Sequence, residues 1–69
     1  MSGRHAIGAL RRAGFGVRRQ SGSHVVLSDP HGRVVSVPVH GGRDLKPGTL
    51  RGIIRAAGLS VEEFRALLR

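Results

Sequence analysis

The chain changes hydrophobic period twice. Over residues 3–13, Ala6, Ile7, Leu10 and Ala13 recur at spacings of three and four, while Arg4, Arg11 and Arg12 take the other side. That pattern predicts an amphipathic helix. Ser2 suits its N-cap and Gly14 the position just past its end. Gly8 inside this helix costs about 1 kcal/mol relative to Ala, so the helix depends on its packing face.

From Gly16 the pattern shortens to strand-like stretches. Residues 16–20 predict a polar strand leading into Ser21-Gly22, residues 23–28 a second strand, and the Val-rich residues 33–39 a third. Between the last two lies Asp29-Pro30-His31-Gly32, with Asp first, Pro where φ is preset and Gly last, so the pair reads as a hairpin. Side chains alternate between the two faces of a sheet. Val35, Val37 and Val39 therefore share a face, matched on the second strand by Val25 and Leu27. His24, Val26 and Ser28 fall on the opposite face, with Val34 and Ser36. If helices cover the Val/Leu face, His24 projects from the uncovered one.

After a loop from His40 to Leu45 the helical period returns. Leu50, Ile53, Ile54 and Ala57 mark the inner face of a helix over 47–57, with Pro47 in its first turn, Arg51 and Arg55 outward, and Gly58 closing it. Ser60-Val61-Glu62-Glu63 is a capping box, with Leu59 and Phe64 placed as a hydrophobic staple. It opens a last helix over 61–68 whose expected inner residues are Val61, Phe64, Leu67 and Leu68. The order α-β-β-β-α(-α), without repeat or linker, predicts one α+β domain over 1–69: a two-layer sandwich of helices on one face of a three-stranded antiparallel sheet.

Composition narrows the chemistry. Sixty-nine residues hold 12 Lys plus Arg against 4 Asp plus Glu, a formal charge of +8. A domain this size buries only about 60% of its unfolded surface, which leaves a thin core and no deep pocket. Any catalysis must work at the surface. Absence of cysteine excludes disulfides, thiolate metal sites and Cys nucleophiles. No apolar run approaches the roughly 20 residues needed to span a bilayer, and the N-terminus is broken by charge. The chain reads as cytoplasmic, with no membrane partner. The charge calls for a polyanion, nucleic acid first. With no Trp or Tyr and two Phe, base stacking is not the main device.

The four carboxylates sit where turns and caps favour them: Asp29 in the hairpin turn, Asp44 in the loop, Glu62 and Glu63 at the last helix. A paired-carboxylate hydrolase and a carboxylate-held Mg²⁺ are therefore not expected. His5, His24, His31 and His40 show no helical ligand pair, and the Gly41–Thr49 stretch lacks the ending of a phosphate-binding P-loop. No metal or other cofactor is expected. What remains is Gly22-Ser23-His24. Histidine can take up and release a proton near neutral pH, and at a strand edge after glycine it can reach a phosphate or ribose hydroxyl. A lone strand-edge histidine is also an ordinary surface residue, so this motif alone decides nothing. The cations recur in every predicted element except the second strand, and read as a broad basic surface. The start of the second long helix, with free N–H groups at Gly48 and Thr49 beside Lys46, suits a phosphate.

Taken in order, several motifs resemble the HicA toxin family. They are Ala13-Gly14-Phe15, Gly22-Ser23-His24, the Asp29–Gly32 turn, Val37-Pro38-Val39-His40-Gly41, Asp44-Leu45-Lys46-Pro47-Gly48-Thr49-Leu50-Arg51 and Ala57-Gly58-Leu59. The resemblance implies a double-stranded-RNA-binding-domain-like fold. It also implies the toxin of a bacterial or archaeal type II toxin–antitoxin pair, a metal-independent endoribonuclease on mRNA held inactive by a HicB-like antitoxin. It assigns His24 as the catalytic histidine. Val25 stands where many relatives carry a second His or a polar or aromatic residue, and Leu27 where an aromatic is frequent. His40 is then the candidate for the complementary proton transfer. Arg18, Arg19, Ser23, Arg33, Arg43, Lys46, Gly48, Thr49 and Arg51 are candidate RNA contacts. A non-catalytic duplex-RNA-binding module of the same fold fits composition and charge equally well; only the His24 motif separates the two.

Overall fold

In a computed structural model describing residues 1–69, the elements follow the expected order. They are α1 (Gly3–Arg12), β1 (Gly16–Ser21), β2 (His24–Ser28), β3 (Val34–Pro38), α2 (Pro47–Ala56) and α3 (Val61–Ala66). The Ser2 hydroxyl caps α1 by accepting from the His5 N–H at 3.2 Å, as the sequence suggested. Lys46 occupies the N-cap of α2 with no side-chain cap, and Pro47 begins the helix. At α3 the reciprocal capping box forms: Ser60 accepts from the Glu63 N–H at 3.0 Å, and Glu63 accepts from the Ser60 N–H at 2.8 Å.

The strands make one antiparallel sheet in the order β1-β2-β3. Val25 faces Val37 and Leu27 faces Val35, while His24 faces Pro38 and Val26 faces Ser36. Paired residues project to the same side, so one face collects Val25, Leu27, Val35 and Val37, all buried beneath the helices. Ala6, Ala9 and Leu10 of α1, Ile53, Ile54 and Ala57 of the α2 region, and Phe15 and Phe64 complete the core. Covering each of the larger side chains contributes about 1.5–3 kcal/mol. No helix of the chain is long and apolar enough to cross a membrane.

Two expectations shift. Val61 is 49% exposed rather than inward, so α3 anchors through Phe64, with Leu67 and Leu68 packed partly against the core. The reason is position: Val61 is the first helical residue, and the helix that follows is only six residues long. Ser23 belongs to the β1–β2 turn instead of the strand. Ser21 pairs directly with His24, leaving Gly22-Ser23 as a two-residue hairpin loop. Gly22 adopts φ 58°, a left-handed conformation that a two-residue hairpin asks of its first loop residue.

Candidate functional site on the open sheet face

That hairpin loop delivers His24 as the first residue of β2. Its side chain lies on the sheet face away from the helices, exposed, and its ring makes no hydrogen bond within the protein. The pairing register places Ser21 and Pro38 directly beside it, with Arg19 and Ser36 one step along, flanking Val26. A bulge between Val17 and Arg19 makes Arg18 the extra residue of the edge strand.

Pro38 has a second neighbourhood. With His40, Arg43, Asp44, Leu45, Lys46 and Thr49 it lines a pocket of about 280 Å³. The His40–Arg43 turn shapes one side: the Arg43 N–H donates to the His40 carbonyl at 3.1 Å, and Gly41 takes φ 61°. The loop is held by the two residues that precede α1, since the Leu45 N–H donates to the Met1 carbonyl at 2.7 Å and Ser2 bridges Asp44. A further bond ties the two regions, from the Val39 N–H to the Ser23 carbonyl at 2.6 Å. At the start of α2, where Lys46 is the N-cap residue, the Gly48 and Thr49 N–H groups have no backbone or side-chain acceptor.

The remaining cations go elsewhere. Arg33 pairs with Asp29 at 3.4 Å and lies against Gly58, where an added Cβ would collide with its guanidinium. It therefore sits on the helix side of the sheet, away from His24. Arg51 lines a different pocket from Thr49, across α2. Arg12 donates to the Leu67 carbonyl at 2.7 Å and closes the end of α3. Of the sequence-based RNA contacts, Arg19 lies near His24 through the strand pairing and Ser23 precedes it in the loop; Arg43, Lys46 and Thr49 line the pocket, and Gly48 does not. Pro38, the residue common to both, was not singled out from the sequence; its only signal was its place in Val37-Pro38-Val39-His40.

Asp29 and Glu63 are structural. Asp29 accepts from the His31 N–H at 3.0 Å, the Arg33 N–H at 2.8 Å and the Arg33 guanidinium. Desolvation pushes its pKa up, but these bonds, led by that from the Arg33 backbone, outweigh it and hold the carboxyl below its usual range. Glu63 is held low by its hydrogen bonds to Ser60. No three His, Cys, Asp or Glu side chains come together as a metal cluster.

Against this geometry, a family model described as the HicA toxin of bacterial toxin–antitoxin systems matches residues 3–59. The chain belongs to the HicA toxin family. As a HicA toxin it has a toxin's role and an antitoxin for a partner. The match takes in α1, the whole sheet and α2, and stops short of α3. No curated protein matches the chain significantly.

Proposed function

We propose that this HicA-family toxin is a metal-independent endoribonuclease on mRNA, with His24 as its general acid/base. The observation that carries the reading is the placement of the Gly22-Ser23-His24 histidine. In a chain of this family, it stands exposed at the start of β2 on the face the helices leave open. The ribose 2′-OH is already adjacent to the scissile phosphate, so a surface histidine suffices. Neutral His24 takes the 2′-OH proton; the oxygen attacks phosphorus; the 5′-oxygen leaves with a proton from protonated His40. The products are a 2′,3′-cyclic phosphate and a 5′-hydroxyl. Lys46, Arg19 and the free N–H groups at Gly48 and Thr49 stabilise the added charge on phosphorus. Arg18 and Arg43 extend the phosphate track, and the turn at Ser23 sets the position of His24. A HicB-like antitoxin inhibits by covering the open face, where Val26, Val34 and Pro38 give a protein apolar surface to bury.

The test is cleavage of an mRNA by purified toxin in excess EDTA, with end-group analysis. Cyclic phosphate ends, no cutting of the matching DNA, and loss of cleavage in His24→Ala with RNA binding retained support the scheme. Abolition by EDTA, or His24→Ala cutting as well as wild type, overturns it. Binding of duplex RNA without cleavage would indicate the non-catalytic module instead.

A further inference from the structure

Val61 is an oddity of this surface. The chain's exposed large apolar side chains are Val17, Val34 and Val61. Val17 and Val34 belong to the two outer strands of the sheet, where one side is always open. Val61 opens α3, a position that folding does not require to be apolar. The capping box is made by Ser60 and Glu63, and the core contact by Phe64.

It forms one wall of a shallow groove of about 340 Å³ between α2 and the start of α3. Ile54 and Leu59 supply the other apolar surface, and Arg51 and Arg55 the rim. The two arginines stand four apart on α2, a spacing at which like charges repel and weaken a helix. Neither has a carboxylate partner within the chain. Asp29 and Asp44 hold Arg33 and the Met1 amino group, Glu63 is committed to its cap, and Glu62 forms no ion pair. The groove thus combines an apolar floor with two unneutralised guanidinium groups along one side.

We propose that this groove docks a short acidic segment of a partner protein, with one apolar side chain seated over Ile54, Leu59 and Val61 and carboxylates meeting Arg51 and Arg55. Guanidinium matches carboxylate in paired hydrogen bonds. A nucleic-acid backbone would use the arginines but gain nothing from three aliphatic side chains, and no aromatic is present there for a base. The docking goes beyond the nuclease reading and does not depend on it, since neither His24 nor the His40 pocket takes part.

A short peptide of aspartate and glutamate with one central leucine, titrated into the full chain and followed by amide NMR shifts and fluorescence anisotropy, tests this. The largest shifts are expected at Ile54, Leu59, Ser60 and Val61. Arg51→Glu with Arg55→Glu weakens binding by about tenfold or more, well beyond Arg4→Glu with Arg11→Glu, which makes the same change in net charge. Val61→Gln, or glutamine for the peptide's leucine, weakens it about fivefold. Unchanged circular dichroism shows the variants are folded. Absence of binding overturns the proposal, as do equal losses in the two arginine pairs or indifference to the leucine. Duplex RNA moving these amides where the peptide does not would make the groove a nucleic-acid surface.

Discussion

His24 stands directly across the β2–β3 ladder from Pro38, and Pro38 is also a wall of the pocket that contains His40. One proline therefore connects the exposed histidine of the open face to the second candidate proton carrier. That arrangement predicts two losses of similar size. Replacing either His24 or His40 by alanine should lower cleavage by about 10²–10⁴-fold, because each removes one proton transfer. Both side chains are exposed, so thermal stability should move by no more than about 0.5 kcal/mol. Single-turnover cleavage beside a melting curve checks this; full activity in His40→Ala would remove it from the scheme.

Alanine substitution at three helical glycines should give opposite signs. At Gly3 an added Cβ would overlap the Pro38 carbonyl oxygen and crowd Val39. Gly3→Ala should therefore destabilise by about 1–3 kcal/mol. Gly8 meets only the Arg12 guanidinium at 3.7 Å, an ordinary contact, and Gly52 meets nothing. Gly8→Ala and Gly52→Ala should each stabilise by about 1 kcal/mol. Urea midpoints for the three variants decide the matter.

Acid should loosen the hairpin turn and α3 together. Asp29 and Glu63 both have lowered pKa values in the folded protein. A carboxylate held low binds fewer protons folded than unfolded, so its contribution is complete above the ordinary carboxylate range. It is lost as pH falls through and below about 4. Stability measured from neutral pH downward should fall over that window. Asp29→Asn with Glu63→Gln should fall less steeply, from a lower starting point.

Arg12 should matter for stability despite its exposure. Its guanidinium closes α3 by donating to the Leu67 carbonyl. Arg12→Ala should cost about 1 kcal/mol, whereas Arg11→Ala, with no such bond, should cost less than about 0.5 kcal/mol. Chemical denaturation of the two variants distinguishes the neighbouring arginines. Ser60→Ala, which removes one half of the capping box, should cost about 1 kcal/mol by the same measurement.

The elements, their order and the inner face of the sheet were legible in the sequence because they rest on local rules. Period separates helix from strand, and Ser2, Ser60 and the Asp29 turn mark boundaries through bonds to residues only a few positions away. The alternation of Val35, Val37, Val25 and Leu27 placed His24 on the open face without any coordinate. The cations were far less legible. Arg12, Arg33 and Arg51 read alike as outward charges, yet one caps a distant helix, one pairs with Asp29 against Gly58, and one rims a groove. Long, flexible side chains choose partners by what the fold brings near, which no local pattern records.

By itself, then, the sequence determined the α-β-β-β-α-α order, the family resemblance and the candidate histidine, all consequences of short-range spacing and residue chemistry. Tertiary structure alone decided that His24 neighbours Pro38, that His40, Arg43, Lys46 and Thr49 share a pocket, and that Val61 faces water beside Arg51 and Arg55. Those relationships depend on strand register and on where helices pack, and both are set by contacts between residues far apart in the chain.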